Sequence, residues 1–240
     1  MPHEARSFQA DPTDMSDPTT IRRLYGRAQA FKLRPRAERL VGELLPRIAV
    51  PVAGALNAQA LFGDDRPLEL EIGFGKGEHL AWQAARRPQT GFIGCEPFVN
   101  GVAGLLGHIE DAGLANIRIH MGDALDVLDR LPGASLDRVY LLHPDPWPKA
   151  RHAKRRFVNP GPLDRIAAKL KAGGEFRLAT DQPVYMRWSL LQMSRRRDFD
   201  WLAERPADWQ QRPDDWPPTR YGEWAAGEGR PIWHFRYRRV

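Results

Sequence analysis

A glycine-rich stretch that begins with an acid could hold a small, positively charged molecule. Its sequence is Glu71-Ile-Gly73-Phe-Gly75-Lys-Gly77, at the end of a short apolar segment. Glycine lets the backbone turn tightly and approach a ligand closely. A dinucleotide-binding loop has the spacing G-x-G-x-x-G and holds a pyrophosphate at a helix N-terminus. Here the spacing is G-x-G-x-G, and the Glu71 carboxylate would repel a pyrophosphate but attract S-adenosylmethionine, which carries an ammonium and a sulfonium group.

Two more acids follow the next two apolar segments. Glu96 comes directly after Gly91–Cys95 and could accept hydrogen bonds from ribose hydroxyls, a position that dinucleotide-binding folds use as well. Asp123 follows Ile117–His120 and could accept from an adenine amino group, cap the next helix, or do both. Acids after three successive strands would meet at one edge of a sheet, so together they favour a cofactor site.

A proline-rich loop follows the fourth apolar segment, with the sequence His143-Pro-Asp145-Pro-Trp147-Pro-Lys149. Because proline fixes the backbone angle φ, this loop is stiff and suits a preorganised site. Trp147 could stack on a nucleic-acid base or pack as a buried ring. At the carboxyl end of the strand next to the cofactor segment, we expect this loop to form part of the site.

The residues that follow this loop are basic. No acid interrupts the run, which contains Lys149, Arg151, His152, Ala153, Lys154, Arg155 and Arg156. Such a run is commonly a solvated face, but beside a candidate site it favours binding of backbone phosphates. A second basic group, Arg230, Arg236, Arg238 and Arg239, lies at the C-terminal end.

The elements that must position these residues alternate between strand and helix. Predicted strands are Leu68–Ile72, Gly91–Cys95, Ile117–His120, Leu136–Leu142 and Glu175–Ala179, with strand-like pieces near Phe199–Leu202 and Pro231–Tyr237. Predicted helices are Glu78–Arg86, Val99–Ala112, Ala124–Leu131, Pro162–Leu170 and Val184–Arg195, with Lys171–Gly174 as a glycine cap that ends the fourth. This alternation predicts an α/β fold, a mostly parallel doubly wound sheet that binds its ligand at the carboxyl ends of the strands.

Composition limits the class of protein. The chain has 240 residues, which is enough for one well-buried α/β domain. Its net charge of +6 weakly favours a polyanionic partner. Its single cysteine, Cys95, excludes an internal disulfide, argues against a Cys-based metal site and suits core packing in a reducing cytoplasm. No apolar run is long enough to span a membrane, so we expect no membrane partner. The cysteine usage favours a site without a metal.

The chain divides into three predicted regions. Residues 1–20 are a flexible tail with repeated Asp-Pro pairs, residues 21–63 are a helical, basic extension, and residues 64–240 are the catalytic domain. The basic residues of the extension could contact RNA or be solvated; they are Arg22, Arg23, Arg27, Lys32, Arg34 and Arg36.

Four stretches together resemble the bacterial tRNA (guanine-N7-)-methyltransferase family: Leu70–Gly77, Pro144–Arg156, Ala179-Thr-Asp181 and Thr219-Arg-Tyr221. The resemblance covers the chain from about Arg22 onward, and the long Pro144–Arg156 stretch is its most specific part. It implies a Rossmann-like class I methyltransferase fold whose sheet ends in a C-terminal antiparallel strand. It also implies S-adenosylmethionine as the methyl donor and N7 of a guanine in the tRNA variable loop (position 46 of the tRNA) as the target. It also implies that the reaction yields 7-methylguanosine.

The resemblance also implies roles for individual residues. Cofactor contacts would come from Glu71, Gly73, Gly75, Glu96, Asp123 and Asp145, and Asp145 would also be catalytic. Substrate contacts would come from Lys149, Asp181, Thr219, Arg220, Tyr221 and Gly222, and RNA contacts from Arg151, His152, Ala153, Lys154, Arg155 and Arg156. One position departs from the family pattern, because Gly222 stands where a glutamate is usual and Glu223 follows it.

The chemistry at guanine N7 needs no proton abstraction, because N7 has a free lone pair. The enzyme would need to align N7 with the methyl group and stabilise developing positive charge. A carboxylate that accepts from N1–H and the amino group would bind the cationic purine better than the neutral one. Asp145 and Asp181 are the candidates for that role.

Three other functions fit parts of the sequence. A methyltransferase acting on an exocyclic amine of adenine or cytosine uses an Asn/Asp-Pro-Pro-aromatic loop, but Trp147 follows Pro146 directly here. A nicotinamide-dependent oxidoreductase would need the other glycine spacing. A non-catalytic RNA-binding module would need the basic residues but not the acids around the glycine loop.

Overall fold

The computed structural model describes residues 32–240, so the predicted tail 1–20 and Arg22, Arg23 and Arg27 lie outside the described residues. In chain order the elements are α1 Pro35–Glu43, α2 Leu45–Ile48, α3 Ala58–Phe62, β1 Leu68–Ile72, α4 Glu78–Arg86, β2 Gly91–Cys95, α5 Val99–Ala112, β3 Ile117–His120, α6 Ala124–Arg130, β4 Leu136–Leu142, a 3₁₀ helix Ala150–Arg155, α7 Pro160–Lys169, β5 Leu170–Thr180, α8 Pro183–Met193, β6 Phe199–Trp201, α9 Ala207–Gln210, α10 Arg220–Gly227 and β7 Trp233–Arg239.

The strands form one sheet in the order β3-β2-β1-β4-β5-β7-β6. β1 to β5 are parallel, and β7 runs antiparallel to both β5 and β6. The predicted α/β sheet with its C-terminal antiparallel strand is therefore confirmed. The order reverses between β1 and β4, and at such a switch point the loops after the two strands diverge and leave a crevice for a ligand. This geometry places the glycine loop beside the proline-rich loop.

Buried residues form two hydrophobic clusters. The described part of the N-terminal extension contributes to both, because Leu40 packs with α5 residues, and Leu56 and Leu61 join the cluster that includes β1 and β4. The backbone N–H of Val50 donates to the carbonyl of Ile119 at 2.8 Å, which ties this extension to the edge of the sheet. Cys95 is buried and unpaired, as expected for a core position.

The prediction that Lys171–Gly174 caps a helix is wrong. Helix α7 ends at Lys169. Its C-cap residue, Leu170, already has an extended backbone and is the first residue of β5. Pairing with β4 shifts from Leu136↔Leu170 to Arg138↔Glu175, so Lys171–Gly174 forms a bulge within the strand. Gly173 has φ of +80°, which explains a glycine at this place without a helix end.

No helix within residues 32–240 has both the length and the apolar character that crossing a membrane requires.

Candidate active site

The glycine loop after β1 needs its glycines for backbone reasons. Gly73, Gly75 and Gly77 all have positive φ, between 57° and 81°, where a side chain would be strained. The N–H of Gly75 donates to Oε2 of Glu96 at 2.9 Å, so an acid after β2 holds the loop. Helix α5 approaches so closely that a Cβ on Gly101 would lie 2.4 Å from the carbonyl oxygen of Gly75.

The predicted cofactor acids meet at this edge of the sheet. Burial raises the pKa of the Glu96 carboxyl, against two backbone N–H groups that lower it, and the negative charges of Asp145 and Glu71 add smaller contributions that raise it. Asp123 caps α6 by accepting from the N–H of Leu125 at 3.0 Å, so the predicted capping role is observed.

Such a group of carboxylates favours a cationic ligand. The negative charges of Asp145 and Glu71 raise the pKa of Glu96, and a positive group that enters between these acids would relieve that repulsion. The acids at this edge therefore fit the ammonium and sulfonium groups of S-adenosylmethionine, and they do not fit a pyrophosphate. Among residues 32–240, no group of three or more His, Cys, Asp or Glu side chains is arranged to hold a metal.

Asp145 lies exposed on the proline-rich loop. Enough protein surrounds its carboxyl group to raise its pKa through loss of solvation. Within residues 32–240 the structure gives this carboxylate no hydrogen bond and no ion pair. Two residues of the loop that are not glycine, His143 and Trp147, have φ of 50° and 41°. Backbone strain of this kind tends to occur at functional sites.

Arg156 does not face solvent, in contrast to the expectation that its side chain contacts RNA. It is 5% exposed. Its Nε donates to the carbonyl of Pro146 at 3.1 Å and its Nη2 to that of Trp147 at 2.9 Å. The guanidinium also lies over the ring of Trp188. Arg156 therefore stabilises the shape of the proline-rich loop. The sequence shows only that a basic residue stands here, and does not show whether it binds the loop or a phosphate.

The other basic residues of this stretch are more accessible. Lys149, Arg151 and Lys154 are exposed, and no carboxylate of the described residues forms an ion pair with them. Arg155 lies with its guanidinium 5.0 Å from the centre of the Trp147 ring, and the His152 ring meets Trp147 edge-on. The carbonyl of Ala153 accepts from Asn159. The exposed charges thus lie at the same rim as Asp145.

The C-terminal substrate residues lie at the start of helix α10, which is not among the elements predicted from the sequence. Thr219 caps α10 by accepting from the N–H of Gly222 at 3.1 Å. The exposed ring of Tyr221 stacks with His143 and reaches within 3.8 Å of the position of a Cβ on Gly75. Arg220 is exposed. Tyr221 therefore connects the helix to the glycine loop.

A pocket of about 230 Å³ lies under this helix. Its walls come from the ends of β4 and β5, the start of α4, the segment before α10, and α10 itself; they include His79, His143, Trp216, Thr219, Gly222, Glu223 and His234. Glu223, which follows the departure at Gly222, therefore lies on the pocket wall.

Asp181 lies beside this pocket and has cationic company. Its Oδ2 forms an ion pair with Arg230 and accepts from Nε2 of Gln182 at 2.8 Å. Its Oδ1 lies 3.5 Å from Nδ1 of His143. The charge of Asp181 is therefore compensated by the protein, whereas that of Asp145 is not.

Two histidines of the pocket are held neutral, and this predicts a pH dependence of stability. Burial lowers the pKa of His143 and of His234 to about 4, and nearby positive groups add to the effect. In the unfolded chain each would take up its proton near pH 6.5, so acid favours unfolding between these two values. We expect the free energy of unfolding to fall as the pH drops from about 6.5 to 4.

The variant His234→Gln should flatten this dependence by up to ~3 kcal/mol, the value of the lowered pKa at about 1.4 kcal/mol per pH unit. Urea unfolding at several pH values between 4 and 7 measures the difference between variant and parent. Parallel curves for the two proteins would show that His234 does not titrate differently on folding.

Sequence reasoning did not single out His79, Arg230 or His234 as parts of the site. His79 lies on the first turn of α4, and the first turn of a helix after a ligand loop faces that loop, so its position was a usable signal. Arg230 and His234 come near Asp181 because β7 pairs antiparallel with β5 and His234 lies opposite Ala179, a register that the sequence alone does not reveal. The predicted residues Glu71, Glu96, Asp123, Asp145 and Asp181 all lie at the predicted carboxyl edge.

Comparisons with known proteins agree with this geometry. A family model described as "Putative methyltransferase" matches residues 65–235. A tRNA (guanine-N(7)-)-methyltransferase of Zymomonas mobilis is 60% identical over 228 residues, which cover 95% of this chain and 99% of that protein. The protein of the same name from Sphingopyxis alaskensis is 58% identical over 229 residues, 93% of this chain and 97% of that one.

Solved structures agree on the fold alone. The 16S rRNA methyltransferase KamB superposes with a TM-score of 0.52 at 13% identity and covers 80% of this chain and 99% of its own. An rRNA methylase from Streptococcus thermophilus has a TM-score of 0.50 at 13% identity, with 88% of this chain and 99% of its own covered. The fold is that of the class I methyltransferases, and by sequence the chain belongs to the tRNA (guanine-N(7)-)-methyltransferase family.

Proposed function

We propose that this chain transfers a methyl group from S-adenosylmethionine to N7 of a guanine in the variable loop of tRNA, at position 46, and so forms 7-methylguanosine. The observation that carries the proposal is one rim that combines mutually repelling acids with exposed cations. Glu96 lies within range of the charges of Glu71 and Asp145, and Lys149 and Arg151 extend from the same loop as Asp145. The names of the relatives support N7 of a guanine in tRNA, and the variable-loop position rests on the family resemblance.

The acids and the glycine loop would hold the methyl donor. Glu71 with Gly73 and Gly75 would take its charged amino-acid part, Glu96 its ribose hydroxyls, and Asp123 its adenine amino group. When bound, S-adenosylmethionine supplies an electrophilic methyl group on a positively charged sulfur. We expect the reaction to take place in the cytoplasm, which also suits the single buried thiol.

The chain itself has to align guanine and stabilise charge, because the lone pair of N7 needs no general base. Alignment of this kind can contribute about 7–11 kcal/mol to lowering a barrier. Thr219, Arg220, Tyr221 and Gly222 on α10, together with Asp181, would orient the base. The uncompensated carboxylate of Asp145 would stabilise the positive charge that develops on the purine ring.

Lys149 and the residues Arg151, His152, Ala153, Lys154 and Arg155 would contact the tRNA backbone beside the pocket. Arg156 would act indirectly, because its guanidinium supports the loop that carries Asp145. Trp147 already has Arg155 against its ring, and we propose it as a platform on which an extruded base could stack.

The test is incubation of the purified chain with an unmodified tRNA transcript and labelled S-adenosylmethionine, followed by mass spectrometry of the nucleosides. We expect 7-methylguanosine as the labelled product, and almost none when the variable-loop guanine is replaced by adenine. Label on an exocyclic amine of adenine or cytosine would instead establish the other class of methyltransferase. Absence of any labelled nucleoside would refute methyl transfer to this RNA.

A further inference from the structure

A buried histidine connects the cofactor edge to the substrate segment, which we define as residues 212–223. Nδ1 of His79 lies 2.6 Å from Oε2 of Glu71, and both side chains are only 3% exposed. On the other side, Nε2 of His79 lies 3.1 Å from Nε2 of Gln83. Nε2 of Gln83 also donates to the backbone carbonyl of Asp215 at 2.7 Å.

The hydrogen positions in this series of hydrogen bonds follow from which atoms can donate and which can only accept. The Glu71 carboxylate only accepts, so Nδ1 of His79 carries the proton and Nε2 of the ring accepts. The Gln83 amide nitrogen has two hydrogens, one for His79 and one for the carbonyl of Asp215. Its oxygen accepts from Nη2 of Arg87 at 2.8 Å, which confirms the orientation of the amide. Each atom named here therefore has a defined role, and reversing either group would break a bond.

Asp215, at one end of this series of hydrogen bonds, controls where the substrate segment lies. Asp215 is held a second time, because its Oδ2 accepts from the buried Arg177 at 2.6 Å. The next residue, Trp216, is 3% exposed and meets the His79 ring edge-on at 6.4 Å. Thr219, the cap of α10, follows three residues later. A shift of Asp215 would therefore move the start of the helix that carries Tyr221 and Gly222.

Glu71, the acid before the glycine loop, is the other end of this series of hydrogen bonds. Within the described residues only Oε2 of Glu71 receives a hydrogen bond, so Oε1 remains for a cationic ligand. A ligand that draws the Glu71 carboxylate towards itself changes its distance to His79, and the change passes through Gln83 to Asp215. Buried hydrogen-bond chains transmit such changes because an unpaired polar group inside a protein is costly.

We propose that His79 is a positioning residue that couples binding of the methyl donor at Glu71 to the placement of the substrate segment, so that donor and tRNA bind with positive cooperativity. This inference rests on the proposed function, since it takes those two molecules as the ligands. His79 also lines the pocket under α10, but its role here is to hold Glu71 and Gln83 and not to bond either ligand. Coupling is reciprocal, so tRNA raises the affinity for the donor by the same factor.

Two substitutions of His79 test its two hydrogen bonds one at a time. In His79→Asn the amide nitrogen can take the place of Nδ1 and donate to Glu71, while the acceptor for Gln83 is lost. In His79→Gln the longer amide can reach Gln83, while the donor to Glu71 is lost. The control is His108→Asn, in the C-terminal part of α5, about two helical turns beyond the contact of Gly101 with the glycine loop.

The measurement is the Kd of S-adenosylhomocysteine by calorimetry, alone and with saturating unmodified tRNA. For the parent protein we expect tRNA to lower this Kd by about 10-fold. For His79→Asn we expect the Kd without tRNA to stay within about 3-fold of the parent and the effect of tRNA to vanish. For His79→Gln the Kd without tRNA should already be weaker, and His108→Asn should behave as the parent.

A histidine that merely stabilises the fold would weaken both affinities together and leave their ratio unchanged, so an unchanged ratio in His79→Asn overturns the proposal. A parent protein without any effect of tRNA on the Kd overturns it as well. If His79→Asn does not fold, Gln83→Met serves instead, since it keeps the bond between His79 and Glu71 and loses the link to Asp215. Methylation of tRNA by the parent is measured separately, so failure of the proposed function would be recognised as such.

Discussion

Replacing Asp145 with asparagine will lower the single-turnover rate of tRNA methylation by about 10²–10³-fold at saturating donor and tRNA. The substitution keeps the size of the side chain and removes its charge. The range is that of a well-placed group acting in a transition state. Asp145 is the carboxylate with this capacity because the structure gives it no compensating cation, whereas Asp181 is paired with Arg230.

The pH dependence of the methylation rate tests whether the Asp145 carboxylate is the group that stabilises the charge. Partial burial raises the pKa of Asp145 above that of an ordinary aspartate. Its active, ionised form is therefore lost at a higher pH than usual, and the rate of the parent protein should fall as the solution is acidified through that raised pKa. In Asp145→Asn this acid limb should be absent from the remaining activity.

Asp181→Asn and Asp200→Asn complete the comparison. The charge of Asp181 is already balanced, so its loss should weaken tRNA binding more than it slows the methylation step. Asp200 lies exposed on the edge strand β6 and should have no effect. A normal rate in Asp145→Asn at saturation would transfer the charge-stabilising role to another group.

The sheet could be predicted from sequence because its strands and helices are marked at short range. Leu68–Ile72 alternates apolar residues with glutamate, Gly91–Cys95 is a short apolar block, and Glu78–Arg86 and Val99–Ala112 have helical spacing; all four have the predicted bounds. Parallel strands in a doubly wound sheet then bring their carboxyl ends to one edge. That rule alone sufficed to bring Glu71, Glu96, Asp123 and Asp145 together.

The parts that failed depend on contacts distant in the sequence. Helix α10 has a short sequence with Gly222 at the third position after its cap, where the usual glutamate would complete a capping box with Thr219. Without that signal a loop is the natural expectation, and packing over the pocket supplies the missing stability. Likewise, whether Arg156 meets a phosphate or the carbonyls of Pro146 and Trp147 is decided by the fold of the loop and not by its composition.

The second large effect concerns the exposed charges of the basic stretch. In the triple variant Lys149→Gln, Arg151→Gln, Lys154→Gln, we expect the affinity for tRNA to fall by about 100-fold near physiological salt. Each phosphate contact adds about 0.7–0.9 to the steepness with which log affinity falls with log salt, because bound counterions are released. The variant should therefore lose about 2–3 from that slope, measured by filter binding at salt concentrations from about 0.05 to 0.3 M.

The controls separate charge at the rim from charge elsewhere. Arg86, Arg195 and Arg197 are exposed near the ends of α4 and α8, helices that run back from the ligand edge, and their triple replacement by glutamine removes the same net charge. We expect that variant to keep nearly the full slope. Arg156→Met removes a buried cation that supports the Asp145 loop, so it should slow methylation and lower stability but leave the slope unchanged.

These three results together discriminate between the interpretations of the basic stretch. An unchanged slope in the Lys149, Arg151 and Lys154 variant would mean that these side chains are only a solvated face. A slope that falls equally in the distant control would mean that tRNA responds to net charge and not to a particular surface. A slope that falls in Arg156→Met would mean that the buried guanidinium leaves Pro146 and Trp147 to meet a phosphate when RNA binds. The carbonyl contacts of Arg156 argue against that last outcome, because both would have to be broken to free the charge.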